Sequence, residues 1–164
     1  MDQAPTRKLS LGALIGGLVT AVSLIGGLLA IWQYYVQNPR QDVSGTWIIE
    51  TTTQQTSYKP FKNLALTYTV QFVQNGVSIT GQGEKTTESG REVETKAHTP
   101  ITLTGSLAGD SIDASFTEKG LERESHGEFH WKLVKDQRWE GSFTSTAADS
   151  QGISVLRRKV SSDP

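Results

Sequence analysis

Between residues 44 and 160 apolar and polar side chains alternate in short runs. Leu64, Leu66, Tyr68, Val70 and Phe72 fall on one face of an extended segment, and Thr67, Thr69 and Gln71 fall on the other. That period of two is the pattern of a strand with one buried side. It recurs in runs rich in Thr, Val, Ile and aromatics, and predicts strands over Gly45–Thr53, Leu64–Gln74, Val77–Lys85, Arg91–Thr99, Ile101–Leu107, Ser111–Glu118, His126–Lys135, Arg138–Ala147 and Ile153–Val160. Asn75-Gly76, Ser89-Gly90, Ala108-Gly109-Asp110, Asp136-Gln137 and Ser150-Gln151-Gly152 supply tight turns between them. No stretch is long enough for a helical crossover, so neighbours pair antiparallel. Eight or nine such strands predict an all-β domain, best satisfied by a small closed antiparallel up-and-down barrel, because closure removes exposed edges. A sandwich is the alternative.

The same alternation selects a core. Besides the five residues above, it turns inward Trp47 and Ile49, Val77 and Ile79, Ile101, Leu103 and Leu107, Ile112, Ala114 and Phe116, Phe129, Trp131 and Leu133, Trp139 and Phe143. Gly81, Gly83, Gly105, Gly127 and Gly141 interrupt the inward face at mid-strand, where glycine weakens a strand. Two explanations stand: the missing side chains leave room for a ligand, or the strands bend there so that a small interior can fill. On the last strand, an inward Ile153 and Val155 carry Arg157 inward with them, to stack on an aromatic ring such as Trp47 or to meet an anion. A one-residue bulge would turn Leu156 and Arg158 inward instead.

Before residue 37 the pattern changes. Leu9 to Trp32 is a run of 24 residues without a charge, Asn or Gln, about 36 Å as a helix against a bilayer core of about 30 Å. This predicts one transmembrane helix, flanked by Arg7 and Lys8 on one side and by Trp32, Tyr34 and Tyr35 on the other. The chain then divides into a tail (1–8), the helix (9–36), a linker (37–43) with the helix-stopping Pro39, the barrel (44–160) and a short tail (161–164). Gly12, Gly16, Thr20, Ser23, Gly27 and Ala30 occupy one arc of about 80° on that helix. Such a face lets two backbones approach closely, so self-association within the bilayer is expected. The basic residues place the N-terminus in the cytoplasm and the barrel outside the inner membrane.

Composition narrows the chemistry. From Asp42 to Pro164 the chain carries 13 basic and 16 acidic side chains, a net of −3, so duplex nucleic acid is not an expected partner. The absence of Cys removes disulfides, thiolate metal sites and thiol nucleophiles. His126 and His130 are about 13 Å apart on one strand, too far to share a metal, and alternate with core residues, which places them outside. Asp110 with Asp113 and Glu122 with Glu124 lack a desolvating setting for acid–base work, and no serine sits in a nucleophile elbow. No enzyme activity, metal or cofactor is expected.

Gly45-Thr46-Trp47 at the start of the first strand, followed by a meander and a late arginine, resembles the calycin pattern of lipocalins and avidins. In those families the first-strand Trp packs beneath a late Arg, which maps onto Trp47 and Arg157 or Arg158. The layout of a membrane segment followed by a minimal barrel opening on Ser44-Gly45-Thr46-Trp47 resembles the two-transmembrane β-strand-rich effectors of bacterial antiphage signalling. That resemblance implies a barrel that senses a cyclic nucleotide, oligomerises and disrupts the inner membrane. This chain departs from it in having one span, and in a charge bias that puts the barrel on the side a cytosolic messenger does not reach. Under this reading Tyr68, Trp131 and Arg157 stack a base and meet a phosphate, while Gly81, Gly105 and Gly141 make room. A membrane-tethered lipocalin-like binding or adaptor module, or a subunit of a larger membrane complex, is the alternative.

Overall fold

The computed structural model describes residues 41–94, 98–120 and 122–160, together with residues 26, 27, 29 and 31. The chain divides into two units at Asn38 and Pro39. In the first, Gly26, Gly27, Leu29 and Ile31 are helical and exposed. The rest of the predicted span, with the packing positions Gly12, Gly16, Thr20, Ser23 and Ala30, lies outside the described residues. Among the described residues no helix is long and apolar enough to cross a membrane.

The second unit is a closed antiparallel barrel. Its strands are β1 (Gly45–Gln55), β2 (Ala65–Asn75), β3 (Ser78–Glu88), β4 (Arg91–Glu92), β5 (Pro100–Ala108), β6 (Ser111–Lys119), β7 (Glu124–Lys135), β8 (Arg138–Ser145) and β9 (Ser150–Arg158). Each long strand pairs with its sequence neighbours, and β9 pairs with β1 to close the ring. Closure leaves no stave with an open edge, as the sequence of alternating runs and tight turns requires. The predicted strand Arg91–Thr99 is not a stave. Among its described residues Arg91 and Glu92 pair in a short hairpin extension of β3 and Val93 donates to the carbonyl of Thr86, while Glu84 and the residues before it are already occupied by β5.

The inward face is the one that alternation selects. Trp47, Ile49, Val70, Phe72, Ile79, Ile101, Leu107, Ile112, Phe129, Trp131 and Trp139 are each at most 2% exposed, and burying side chains of this size contributes about 2–3 kcal/mol each. Phe129 stacks on Trp131 with ring centroids 4.5 Å apart and tilts against Phe116 at 4.7 Å. The last strand departs from expectation. Ile153 is half exposed, whereas Gly152, Ser154 and Leu156 face the interior. The opposite phase arises because β9 begins at Ser150, itself buried and bonded to the carbonyl of Ala147 at 2.6 Å.

That phase turns Arg157 outward, where it forms an ion pair with Glu50 at 2.9 Å, and brings Arg158 to the barrel end. There its guanidinium lies 5.5 Å from the Trp47 ring and donates to the carbonyl of Ser44 at 2.6 Å. The arginine that closes the barrel over Trp47 is therefore Arg158, and not Arg157 as the phase of Ile153 and Val155 predicts. Gly45 lies beneath it with φ +122, where a Cβ would stand 2.9 Å from the guanidinium. The indole N–H of Trp47 donates to the carbonyl of Val43 at 2.7 Å. This end of the barrel, where the chain both begins and finishes its circuit, is plugged.

Candidate functional site

The opposite end is open, and its polarity differs. Along β1 the inward series runs Trp47, Ile49, Thr51, Thr53, so apolar residues give way to hydroxyls toward the mouth. The inward series of β6 runs Ile112, Ala114, Phe116, Glu118, and that of β3 runs Ile79, Gly81, Gly83, Lys85. A bulge then adds a second charge. Tyr68 pairs with Lys85 but Thr67 pairs with Thr87, so Thr86 is the extra residue. Beyond it Glu88 stands opposite the inward Leu66. The change of phase puts both Lys85 and Glu88 on the lumen side of one strand.

These residues enclose a cavity of about 220 Å³. Its apolar wall includes Leu66, Phe116, Phe129 and Phe143, with Phe61 added by the loop between β1 and β2. Its polar wall carries Thr51, Thr53, Thr99, Ser125 and Ser150, which are five of the six buried uncharged polar residues among those described. The sixth, Ser154, accepts the indole N–H of Trp131 at 2.9 Å in the plugged half. Thr51 and Thr53 line this cavity, and both residues are only 4% exposed.

At the rim, the hydroxyl of Tyr68 donates to Oε2 of Glu118 at 3.2 Å. Lys85 Nζ stands 3.3 Å from Glu88 and 3.8 Å from Oε1 of Glu118. Burial pushes the Glu118 carboxyl above its ordinary range, opposed by Lys85 and by the Tyr68 hydrogen bond. Burial pushes the Tyr68 hydroxyl well above its ordinary value, and the Glu118 charge adds to the effect. Tyr68 is therefore a donor, and Glu118 is held in place by it. Arg123 lines the same cavity and has no carboxylate partner among the described residues.

The loop that carries Phe61 is pinned to the turn between β8 and β9. The carbonyl of Ala148 accepts from the backbone N–H of Ser57 at 2.8 Å and from the hydroxyl of Thr56 at 3.0 Å. Ala148 and Asp149 both take left-handed conformations, with φ of 54 and 45, a region that disfavours any residue with a Cβ.

Of the six residues expected to bind ligand, Tyr68 alone lines this cavity. Trp131 lies one layer below, sealed by Phe129, and Arg157 is on the outer wall. Gly81, Gly105 and Gly141 face inward but open no space: a Cβ at Gly81 would lie 2.7 Å from the Phe72 ring, and one at Gly105 or Gly141 would run into the backbone carbonyl of Asp113 or His130. These glycines let neighbouring strands press together as the barrel bends. His126 and His130 stand on the outer wall as expected. A broader trough of about 660 Å³ also lies there, lined by Thr102, Thr104, Thr117 and Thr144 among others, but it is open to solvent along its length.

The barrel is similar in fold to solved barrels of design origin. A redesigned β-barrel, mFAP1, bound to DFHBI aligns with a TM-score of 0.53 at 11% identity, over 71% of this chain and 94% of that one. EF1p2_mFAP2b bound to DFHBI aligns at 0.57 and 12% over 76% and 99%, and a de novo designed fluorescence-activating β-barrel at 0.50 and 12% over 71% and 93%. No protein-family model and no curated protein matches the chain.

Proposed function

We propose that this chain is a membrane-anchored sensor-effector whose barrel binds a small molecule through the open mouth. The observation that supports it most is the segregation of polar side chains: five buried hydroxyl residues, a largely buried carboxyl and two cations gather around one cavity, while the other half is packed with Trp and Phe. A site that only closed the barrel would be filled with apolar side chains instead. That two of the similar designed barrels hold DFHBI supports the capacity of this architecture for a flat ligand.

On this reading the ligand is small and anionic, of the cyclic-nucleotide class. Its ring system enters the cavity and its phosphate meets Lys85 and Arg123 at the rim. The volume suits one or two rings, since a cavity of about 150 Å³ holds benzene. Leu9–Trp32 anchors the chain, and the face from Gly12 to Ala30 packs copies together when ligand favours the assembled state, to the detriment of the inner membrane during phage infection. The tethered carrier or adaptor is the rival reading, favoured by the basic Arg7 and Lys8, which direct the barrel outward.

Titration of the full-length chain in detergent micelles with cyclic mononucleotides and dinucleotides, followed by tyrosine and tryptophan fluorescence, tests the proposal. Saturable binding is expected, weakened roughly two- to tenfold for each hydroxyl removed in Thr51→Val and Thr53→Val. Unchanged affinity in the double variant would move the site away from the mouth. No saturation by any cyclic nucleotide at millimolar concentration would remove the second-messenger half of the reading.

A further inference from the structure

Within the proposed ligand-binding reading, on which this step rests, the mouth contains one carboxylate oxygen held by a long ion pair and by no hydrogen bond within 3.5 Å. Glu118 has two carboxylate oxygens and a side chain only 14% exposed. Oε2 accepts the Tyr68 hydroxyl. Oε1 forms an ion pair with Lys85 Nζ at 3.8 Å, longer than a hydrogen bond, while Lys85 also donates to Glu88 at 3.3 Å. Among the described residues nothing else donates to Oε1. A buried carboxylate oxygen is a strong acceptor, costly to leave unpaired, and here Tyr68 from β2 fixes its direction from the far side. The neighbouring wall adds further hydrogen-bonding groups, because Thr51 and Thr53 also line the cavity.

The aromatic residues fix the shape of what fits. Phe116, Phe129 and Phe143 line the cavity below the polar rim, and their rings are mutually tilted rather than parallel, apart from the Phe129 and Trp131 stack beneath. A flat ring packs against such faces with its edge directed at the rim. We infer that Glu118 Oε1 is the acceptor for an N–H donor on the ligand, and that the mouth selects a one- or two-ring nitrogen heterocycle presenting an amino N–H at its edge. Tyr68 is a positioning residue in this arrangement: it orients the carboxylate and leaves one oxygen for the heterocycle. Any anionic part of the ligand then projects outward past Lys85 and Arg123. A ligand whose buried end is itself a carboxylate or phosphate would face Glu118 with like charge and is rejected.

The experiment compares three probes on the full-length chain in detergent micelles, by isothermal titration and by chemical-shift changes. 2-Aminobenzimidazole presents an exocyclic amino donor, 2-methylbenzimidazole has the same outline without it, and indole-3-carboxylate carries an anion. The amino compound is expected to bind at least about tenfold more tightly than the methyl compound, the scale of a hydrogen bond to a charged group. Glu118→Gln should remove most of that preference. Should that variant fail to fold, Glu118→Asp, which withdraws the carboxylate by one methylene, is expected to narrow the preference in the same direction. Equal binding of the two benzimidazoles, tighter binding of the acid, or a preference that survives Glu118→Gln overturns the role of Glu118 and leaves the ligand-binding cavity standing. No binding of any of the three, or of DFHBI, at millimolar concentration overturns the cavity reading as well.

Discussion

Glu118 shows how a single residue sets a pH dependence. Its carboxyl is pushed up chiefly by burial, so the folded state holds a proton more tightly than the unfolded chain does. The unfolded state then binds fewer protons between the ordinary carboxylate value and the raised one, and stability falls as pH rises through that window. Glu118→Gln is expected to flatten this slope in urea melts taken from pH 4 to pH 7, with no loss of stability at neutral pH. A steeper slope in the variant would contradict the dominance of burial. Neither Glu118 nor Lys85 announced itself in the sequence, because charged residues near strand ends read as surface. Extending the alternation Ile112, Ala114, Phe116 by one more step does point Glu118 inward. Thr86 gives no comparable signal: its bulge is visible only once β2 and β3 are paired.

Strands and turns carry the next scale. Gly141 has its space taken by the His130 carbonyl of β7 and by the Trp131 Cα at 2.9 Å. Gly141→Ala is therefore expected to cost about 3 kcal/mol or more, read as a lower urea midpoint at unchanged slope. If the glycine instead opened a lumen, alanine would leave stability intact and lower only ligand affinity. The turn between β8 and β9 predicts the opposite sign. Ala148 has φ 54 and ψ 38, and Ala148→Gly relieves a left-handed Cβ at a gain of about 1 kcal/mol, less the extra entropy of a glycine in the unfolded chain. Most staves were legible from hydropathy because large apolar residues mark their phase. The last was not: its inward residues Ser150, Gly152 and Ser154 carry almost no hydropathy, while the outward Ile153 and Val155 do. Arg91–Thr99 looked like a strand by composition, yet the edge of β3 from Ser78 to Glu84 was already taken by β5, leaving only its far end for Arg91 and Glu92.

For the whole molecule, topology decides between the two functional readings. The chain has no Cys, so Ser10→Cys and Ser162→Cys each introduce a single reporter. A Ser162→Cys chain protected from an impermeant maleimide in intact cells, and labelled after lysis, puts the barrel in the cytosol and favours the second-messenger reading. Labelling in intact cells puts it outside and favours the tethered carrier. The barrel itself has a further consequence. Trp47 near the start of β1 pairs with Arg158 at the close of β9, so both ends of the domain's chain emerge at the plugged end and the opening lies at the other. A barrel attached to a bead or sensor chip through either terminus would accordingly present its open end to the flowing solution, and the affinity of any compound that enters the mouth should coincide between the two orientations of attachment.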